Sequence, residues 1–279
     1  MAVTEQGFAL KRGLLLAPLA GLIVLAYVLP FLGIVGWSFS LPEPGMGNYV
    51  RIATDPGIGN ILWRTARICL LVTAIALIIA YVISYLWVFS APGWQRIIEV
   101  CVLIPFWISV LVRAFGWIIA LRGNGVVNTA LMDLSLIERP IRMTHNELGV
   151  VISMVHFMVP FAVFPLVAVM RQVDVRTLMA SRGLGAGATR TFWWIFVPQT
   201  IPGIVGAFII VFVFTLGFYI TPAIVGGGRV VMVAEYIYMQ MFQVGNWGLG
   251  AALSVILLLL AAALIWAIFR VTRVTRLVT

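Results

Sequence analysis

Residues 171–198, RQVDVRTLMASRGLGAGATRTFWWIFVP, carry the densest set of groups able to bind a partner. Arg171, Arg176, Arg182 and Arg190 stand against one acid, Asp174, and Gly183, Gly185 and Gly187 alternate at the centre. The chemistry on offer is recognition of a surface: guanidinium groups at a rim, and small residues that let the backbone come close. Asp174 can accept from free backbone N–H groups at a helix start. Val175, Leu178 and Met179 then recur at i, i+3 and i+4, giving one apolar face. Gly183 and Gly185 can end the helix with a left-handed residue. Two short helices with a glycine turn between them are expected. On pattern alone, an ordinary connecting loop whose arginines only set topology explains the segment equally well.

Other chemistry is sparse. His145 and His156 lie far apart without a partner cluster, which points to structural roles, and no nucleophile stands beside a base. No metal-ligand spacing occurs. Cys69 and Cys101 both fall in apolar runs and read as buried thiols. A phosphate-binding loop needs a glycine-rich turn ending in Gly-Lys-Ser/Thr, and Lys11 is the only lysine. Any energy from ATP must come from another chain. Arg113 is the exceptional charge, because it falls inside an apolar run. An arginine near the bilayer centre costs about 2.5–3.5 kcal/mol on insertion scales. Either it snorkels outward or finds a structural partner, or it faces a polar path.

The elements that position these groups follow from composition. The chain is 63% hydrophobic and 10% charged, against about 25% charged in soluble domains. It reads as an all-α, multi-pass membrane protein. A crossing helix needs roughly 20 mainly apolar residues. Six stretches qualify, near 14–39, 64–89, 97–121, 148–170, 194–220 and 249–269. The first is too long for a signal-peptide core and reads as a retained span. The net charge of +9 is too dispersed for nucleic acid. With the N-terminus inside, ten basic residues, including Lys11, Arg12, Arg96 and the tail arginines, fall on the inner side with Glu5, Glu99 and Asp174. That bias puts both termini and residues 171–193 in the cytoplasm. Glu99, one turn after Arg96, reads as its interfacial pair, and Trp37, Trp63, Trp117 and Trp247 as headgroup-level rings.

Residues 179–198 resemble the EAA loop of the permease subunits of binding-protein-dependent ABC importers. Ala180 and Ser181 stand at the two alanine positions, Gly185 at the glycine, and Phe192, Ile195 and Pro198 at the later positions. Met179 stands where the family has glutamate, which removes any salt bridge from that position. Residues 111–117 (LVRAFGW), 123–131 (GNGVVNTAL), 217–227 (GFYITPAIVGG) and 246–254 (NWGLGAALS) are similar to the spermidine/putrescine permease branch, on the side of its first permease subunit.

The resemblance implies a type I ABC importer permease fold, one transmembrane domain over 1–279, in a bacterial inner membrane. Residues 171–193 would be a coupling loop docked on a cytoplasmic ATPase dimer through Met179, Ala180, Ser181, Gly183, Gly185 and Ala186. Arg176 and Arg182 would stand at the rim, with Phe192 and Pro198 leading into the next span. A second homologous permease would complete the pore, and a periplasmic solute-binding protein would deliver the solute. The chain itself would hold no cofactor; ATP and magnesium would sit in the ATPase. The solute would be a polyamine or a related small organic molecule. Groups near the outer mouth that suit ammonium are Trp107, Tyr219, Glu235, Tyr236 and Tyr238, with Arg113 opposing a cation. The alternative is a stand-alone channel or secondary carrier, which a deep acid would favour. A membrane-embedded enzyme would need clustered polar groups.

Overall fold

The computed structural model describes Pro18 and residues 21–276. Lys11, Arg12, Glu5 and the expected start of the first span at residue 14 lie outside the described residues. Among those described there are helices and no strands. In chain order they are α1 (Leu29–Ser40, after a π-helical turn Val24–Val28), α2 (Gly47–Thr54), α3 (Pro56–Phe89), α4 (Pro92–Trp107), α5 (Val110–Leu121), α6 (Val126–Asp133) and α7 (Glu147–Met170). There follow α8 (Val175–Gly183), α9 (Ala188–Thr191), a π turn (Phe192–Phe196), α10 (Val197–Leu216), α11 (Ile220–Gly226), α12 (Val233–Tyr238) and α13 (Trp247–Arg276). Among the described residues, six stretches are long and apolar enough to cross a membrane: Gly21–Ser40, Pro56–Phe89, Val110–Asp133, Glu147–Met170, Ala188–Leu216 and Trp247–Arg270.

The backbone groups two compact units: residues 1–55 with 237–259, and 56–236 with 260–279. In the larger unit, α7 is the central helix and packs on both α3 and α10. Small residues explain the close approach. On α3, Ile68, Val72, Ala76, Ala80 and Ser84 recur every fourth residue and are buried. On α10, Gly203, Ala207, Val211 and Thr215 repeat the pattern. A β-carbon at Gly203 would lie 3.0 Å from Val169 Cβ. Without a hydrophobic drive between helices in lipid, such stripes gain contact by letting backbones approach. Two side-chain bonds tie the helices: Ser84 Oγ donates to the Val163 carbonyl at 3.3 Å, and Tyr81 and Thr200 share a hydroxyl contact at 2.9 Å.

The connection 122–147 is stapled by one buried side chain. Asn128 Nδ2 donates to the Arg122 and Ile141 carbonyls at 2.9 and 3.0 Å, and its Oδ1 accepts from Ile141 N–H at 2.8 Å. Asn146 then caps α7, accepting from Gly149 N–H at 3.0 Å. Glu147 pairs with Arg64 and Arg67 of α3.

In the smaller unit, Asn48 Nδ2 donates to the Ser38 and Leu41 carbonyls at 3.1 and 2.7 Å, fastening α2 to α1. The Trp37 and Trp247 rings meet edge-on at 5.7 Å.

Three expectations change. The stretch at 97–121 is not one helix: Ile108 and Ser109 adopt extended backbone between α4 and α5. Pro105 sits one turn earlier, where it removes a hydrogen bond and crowds the preceding carbonyl. Cys69 is buried, but Cys101 is exposed. Helix α4 buries only Val102, so its neighbour in sequence turns away. The Arg96–Glu99 pair does not form; the ion pairs among the described residues both involve Glu147. An exposed pair on one helix gains too little over water to hold its geometry.

Candidate functional site

The arginine- and glycine-rich segment folds as a bent finger. Asp174 Oδ1 accepts from Arg176 N–H at 2.9 Å and starts α8. The helix closes with Gly185 N–H donating to the Arg182 carbonyl and Ala186 N–H to the Ser181 carbonyl, at 3.0 and 3.1 Å. Those paired bonds, with Gly185 at φ +87°, form a Schellman ending. Of the two expected glycine positions, Gly185 alone takes the left-handed conformation; Gly183 is the last helical residue.

The second limb differs from the expected short helix. It is the first turn of a helix that runs without a gap from Ala188 to Leu216, starting six residues before the expected span. A π turn at Phe192–Phe196 carries it past the first proline, with Val197 N–H bonding the Phe192 carbonyl. Pro198 has no N–H to offer, and a wider i→i−5 turn accommodates that loss. Between the limbs, Ser181 and Thr191 hydroxyls lie 3.0 Å apart. The C-terminal end of α7 rests on α3, with the Arg171 guanidinium 5.8 Å from the Trp87 ring.

Arg176, Ala180, Arg182, Gly183 and Gly185 are exposed; Ser181, Ala186 and Phe192 are half-buried. Met179 is 66% exposed. Leu184, at the apex, is 90% exposed, which the pattern of glycines did not single out. A large apolar side chain with almost no contact of its own, between two glycines, is what a docking knob looks like. Trp193 and Trp194 are exposed at the re-entry, and Pro198 is exposed on α10.

The residues expected to line the path fall on several elements. Trp107 ends α4 exposed, its ring beside Phe106 at 6.1 Å. Arg113 lies over the Phe157 ring at 4.0 Å, while its Nε and Nη1 are buried without a hydrogen-bond partner. Tyr219 caps α11, and Tyr236 N–H bonds the Met232 carbonyl on α12. Glu235 is 7% exposed and its Oε2 has no hydrogen-bond partner. Burial pushes its carboxyl above the ordinary range, only partly opposed by the Met232 backbone N–H. Tyr238 belongs to the other unit, where its ring packs on Phe242 at 5.2 Å. Trp117, expected at the headgroup level, donates its indole N–H to His156 Nδ1 at 3.2 Å, so both have structural work.

Sequence reasoning missed an aromatic row beside Arg113. Phe157 stacks on Phe161 at 5.7 Å and meets Phe218 at 4.5 Å, and Phe161 meets Phe214 at 4.9 Å. On α7, Phe157 and Phe161 are four residues apart, a spacing visible in the sequence. Ring faces of this kind bind cations, as the Arg113 guanidinium already does.

Comparison with known proteins adds four findings. Residues 90–276 match the model of the family described as binding-protein-dependent transport system inner membrane component. The spermidine/putrescine transport system permease protein PotB of Haemophilus influenzae is 30% identical over 213 residues, covering 76% of this chain and 74% of that protein. Its Escherichia coli counterpart is 27% identical over 213 residues, covering 76% and 78%. Among solved structures, a bacterial alginate ABC transporter in complex with an alginate pentasaccharide-bound periplasmic protein is similar with a TM-score of 0.74. Identity there is 16%, with 96% of this chain and 95% of that one covered. That likeness carries the fold, an ABC importer permease fold.

Proposed function

We propose, from the premise that this chain belongs to the binding-protein-dependent transport system inner membrane components, that its finger couples the pore to an ATPase. The chain is a transport component of a bacterial inner membrane rather than an enzyme, and ATP is handled by a partner. The finer reading is ours. Residues 171–193 dock in the cytoplasm on an ATPase dimer that binds ATP and magnesium. Both termini share that side. Residues 1–279 act as one permease domain, paired with a second homologous permease and fed by a periplasmic solute-binding protein.

The observation that carries this is the finger itself. A nine-residue helix ends in a Schellman turn that lifts Leu184 clear of its own chain, and the second limb is continuous with α10. A push on the finger is therefore delivered along a single helix into the membrane. Nucleotide would shift the pore between two access states if the ATPase binds the finger differently in each.

A polyamine or related small organic solute is supported by the names of the relatives. Trp107, Tyr219, Glu235, Tyr236 and Tyr238 stay candidates for the path.

Co-purification with the ATPase tests the docking. Burying a leucine side chain contributes about 1.5–3 kcal/mol. Leu184→Asp is expected to lose the ATPase from the purified complex while the permease stays in the membrane. Full retention of the ATPase would remove Leu184 from the interface.

A further inference from the structure

Helix α8 does not close onto α3. A cleft of about 620 Å³ separates them, with Met179 and Arg182 on one side and Val82, Tyr85 and Phe89 on the other. Its floor is aromatic: the Phe192 and Phe196 rings meet Tyr85 edge-on at 5.7 and 5.5 Å. Arg182, Thr189, Thr191, Tyr81 and Tyr85 supply its polar groups, and no carboxylate lines it. Arg182 makes no ion pair among the described residues.

From this we infer that the cleft holds a phospholipid with an anionic headgroup, taken from the leaflet that faces the finger. The inference rests on the finger lying at the membrane surface where α3 ends. Phe89 is the last residue of the spanning helix α3, and Val82, Leu86 and Phe89 on its final two turns are exposed. At that depth exposed apolar side chains meet acyl chains. A guanidinium beside hydroxyl donors suits a phosphate oxygen. One amphiphile satisfies both. A free phosphate would leave the aromatic wall wet, and a peptide from the aqueous side would have to enter a wall formed by a span. The lipid would then fill the gap behind α8 and brace the face opposite α3.

A photoreactive side chain at Val82, in the assembled transporter, tests this. The complex is reconstituted in vesicles of phosphatidylcholine and phosphatidylglycerol in equal parts. Cross-links to phosphatidylglycerol should outnumber those to phosphatidylcholine roughly fivefold, the worth of one basic residue near an anionic surface. Arg182→Gln should abolish the preference and Arg182→Lys keep it, and added inorganic phosphate should not compete. Cross-links to the ATPase or the second permease, lipid captured in proportion to the bilayer, or competition by phosphate would each overturn the proposal. Absence of the ATPase from the sample with Arg182 intact would count against docking instead, and leaves the lipid ratio readable on the permease.

Discussion

Ser181 Oγ and Thr191 Oγ1 lie 3.0 Å apart and join the two limbs of the finger across the glycine turn. Ser181 is on the docking helix, and Thr191 is in the helix that continues to Leu216. This bond is the shortest side-chain link between the surface we assign to the ATPase and the membrane core. A neutral hydrogen bond of this kind contributes about 1 kcal/mol. Ser181→Ala and Thr191→Val should each lower uptake several-fold at unchanged protein level. The double variant should be no worse than either alone, because one interaction is lost once. Additive losses in solute uptake by vesicles would show that the two hydroxyls act separately.

Gly185 makes a sharper test, because space and conformation separate there. A β-carbon would meet nothing within 4 Å, yet φ is +87°. The penalty is in the backbone alone, about 1–2 kcal/mol for an L-residue in the left-handed region. Gly185→Val should abolish coupled ATP hydrolysis while the protein still inserts. Gly185→Asn, which tolerates that conformation better, should keep a measurable fraction. Equal activity in the two variants, measured as solute-stimulated phosphate release, would contradict the turn's role.

Arg113 is held by one aromatic face and leaves Nε and Nη1 unanswered. The insertion cost of about 2.5–3.5 kcal/mol exceeds a desolvated cation–π contact of about 2 kcal/mol. Arg113→Gln should therefore leave the purified chain at least as stable to heat, by thermal unfolding in detergent. A large fall in melting temperature would mean that the guanidinium is paired in solution.

Glu235 predicts a pH dependence outside the spans. Its carboxyl titrates above the ordinary range because burial penalises the charge. Below the unfolded value both states are protonated and the site costs nothing. As pH rises above it, the unfolded chain ionises first, and stability falls until the folded carboxyl ionises too. Glu235→Gln removes that slope. Wild type should lose thermal stability from acid to neutral pH more steeply than the variant. Parallel curves would place the ionised carboxylate in the folded protein.

Local features of the finger were legible in sequence because neighbours decide them. Asp174 caps because it precedes an apolar i, i+3, i+4 set, and Gly185 turns because glycine alone takes φ +87° without strain. Leu184 was not legible: a leucine between glycines is ordinary until the fold leaves it without neighbours. The break at Ile108 and Ser109 was half visible, since Pro105 announced it, but helix partners often satisfy a proline in a membrane. Glu235 burial, the Asn128 staple and the Phe157 row depend on contacts across many residues, and no local pattern reports those. The exposed Cys101 shows the limit of reading burial from apolar runs in a membrane chain, where lipid-facing and core-facing residues share one composition.

Cross-linking from the apex tests the central claim most directly. Leu184→Cys, with Cys69 and Cys101 replaced by alanine, gives one reactive thiol at the tip of the finger in the assembled transporter. The expected result is a cross-link to the ATPase whose yield changes with nucleotide, and no labelling by a membrane-impermeant thiol reagent added outside intact cells. Labelling from outside, with no cross-link to the ATPase under any nucleotide condition, would contradict it.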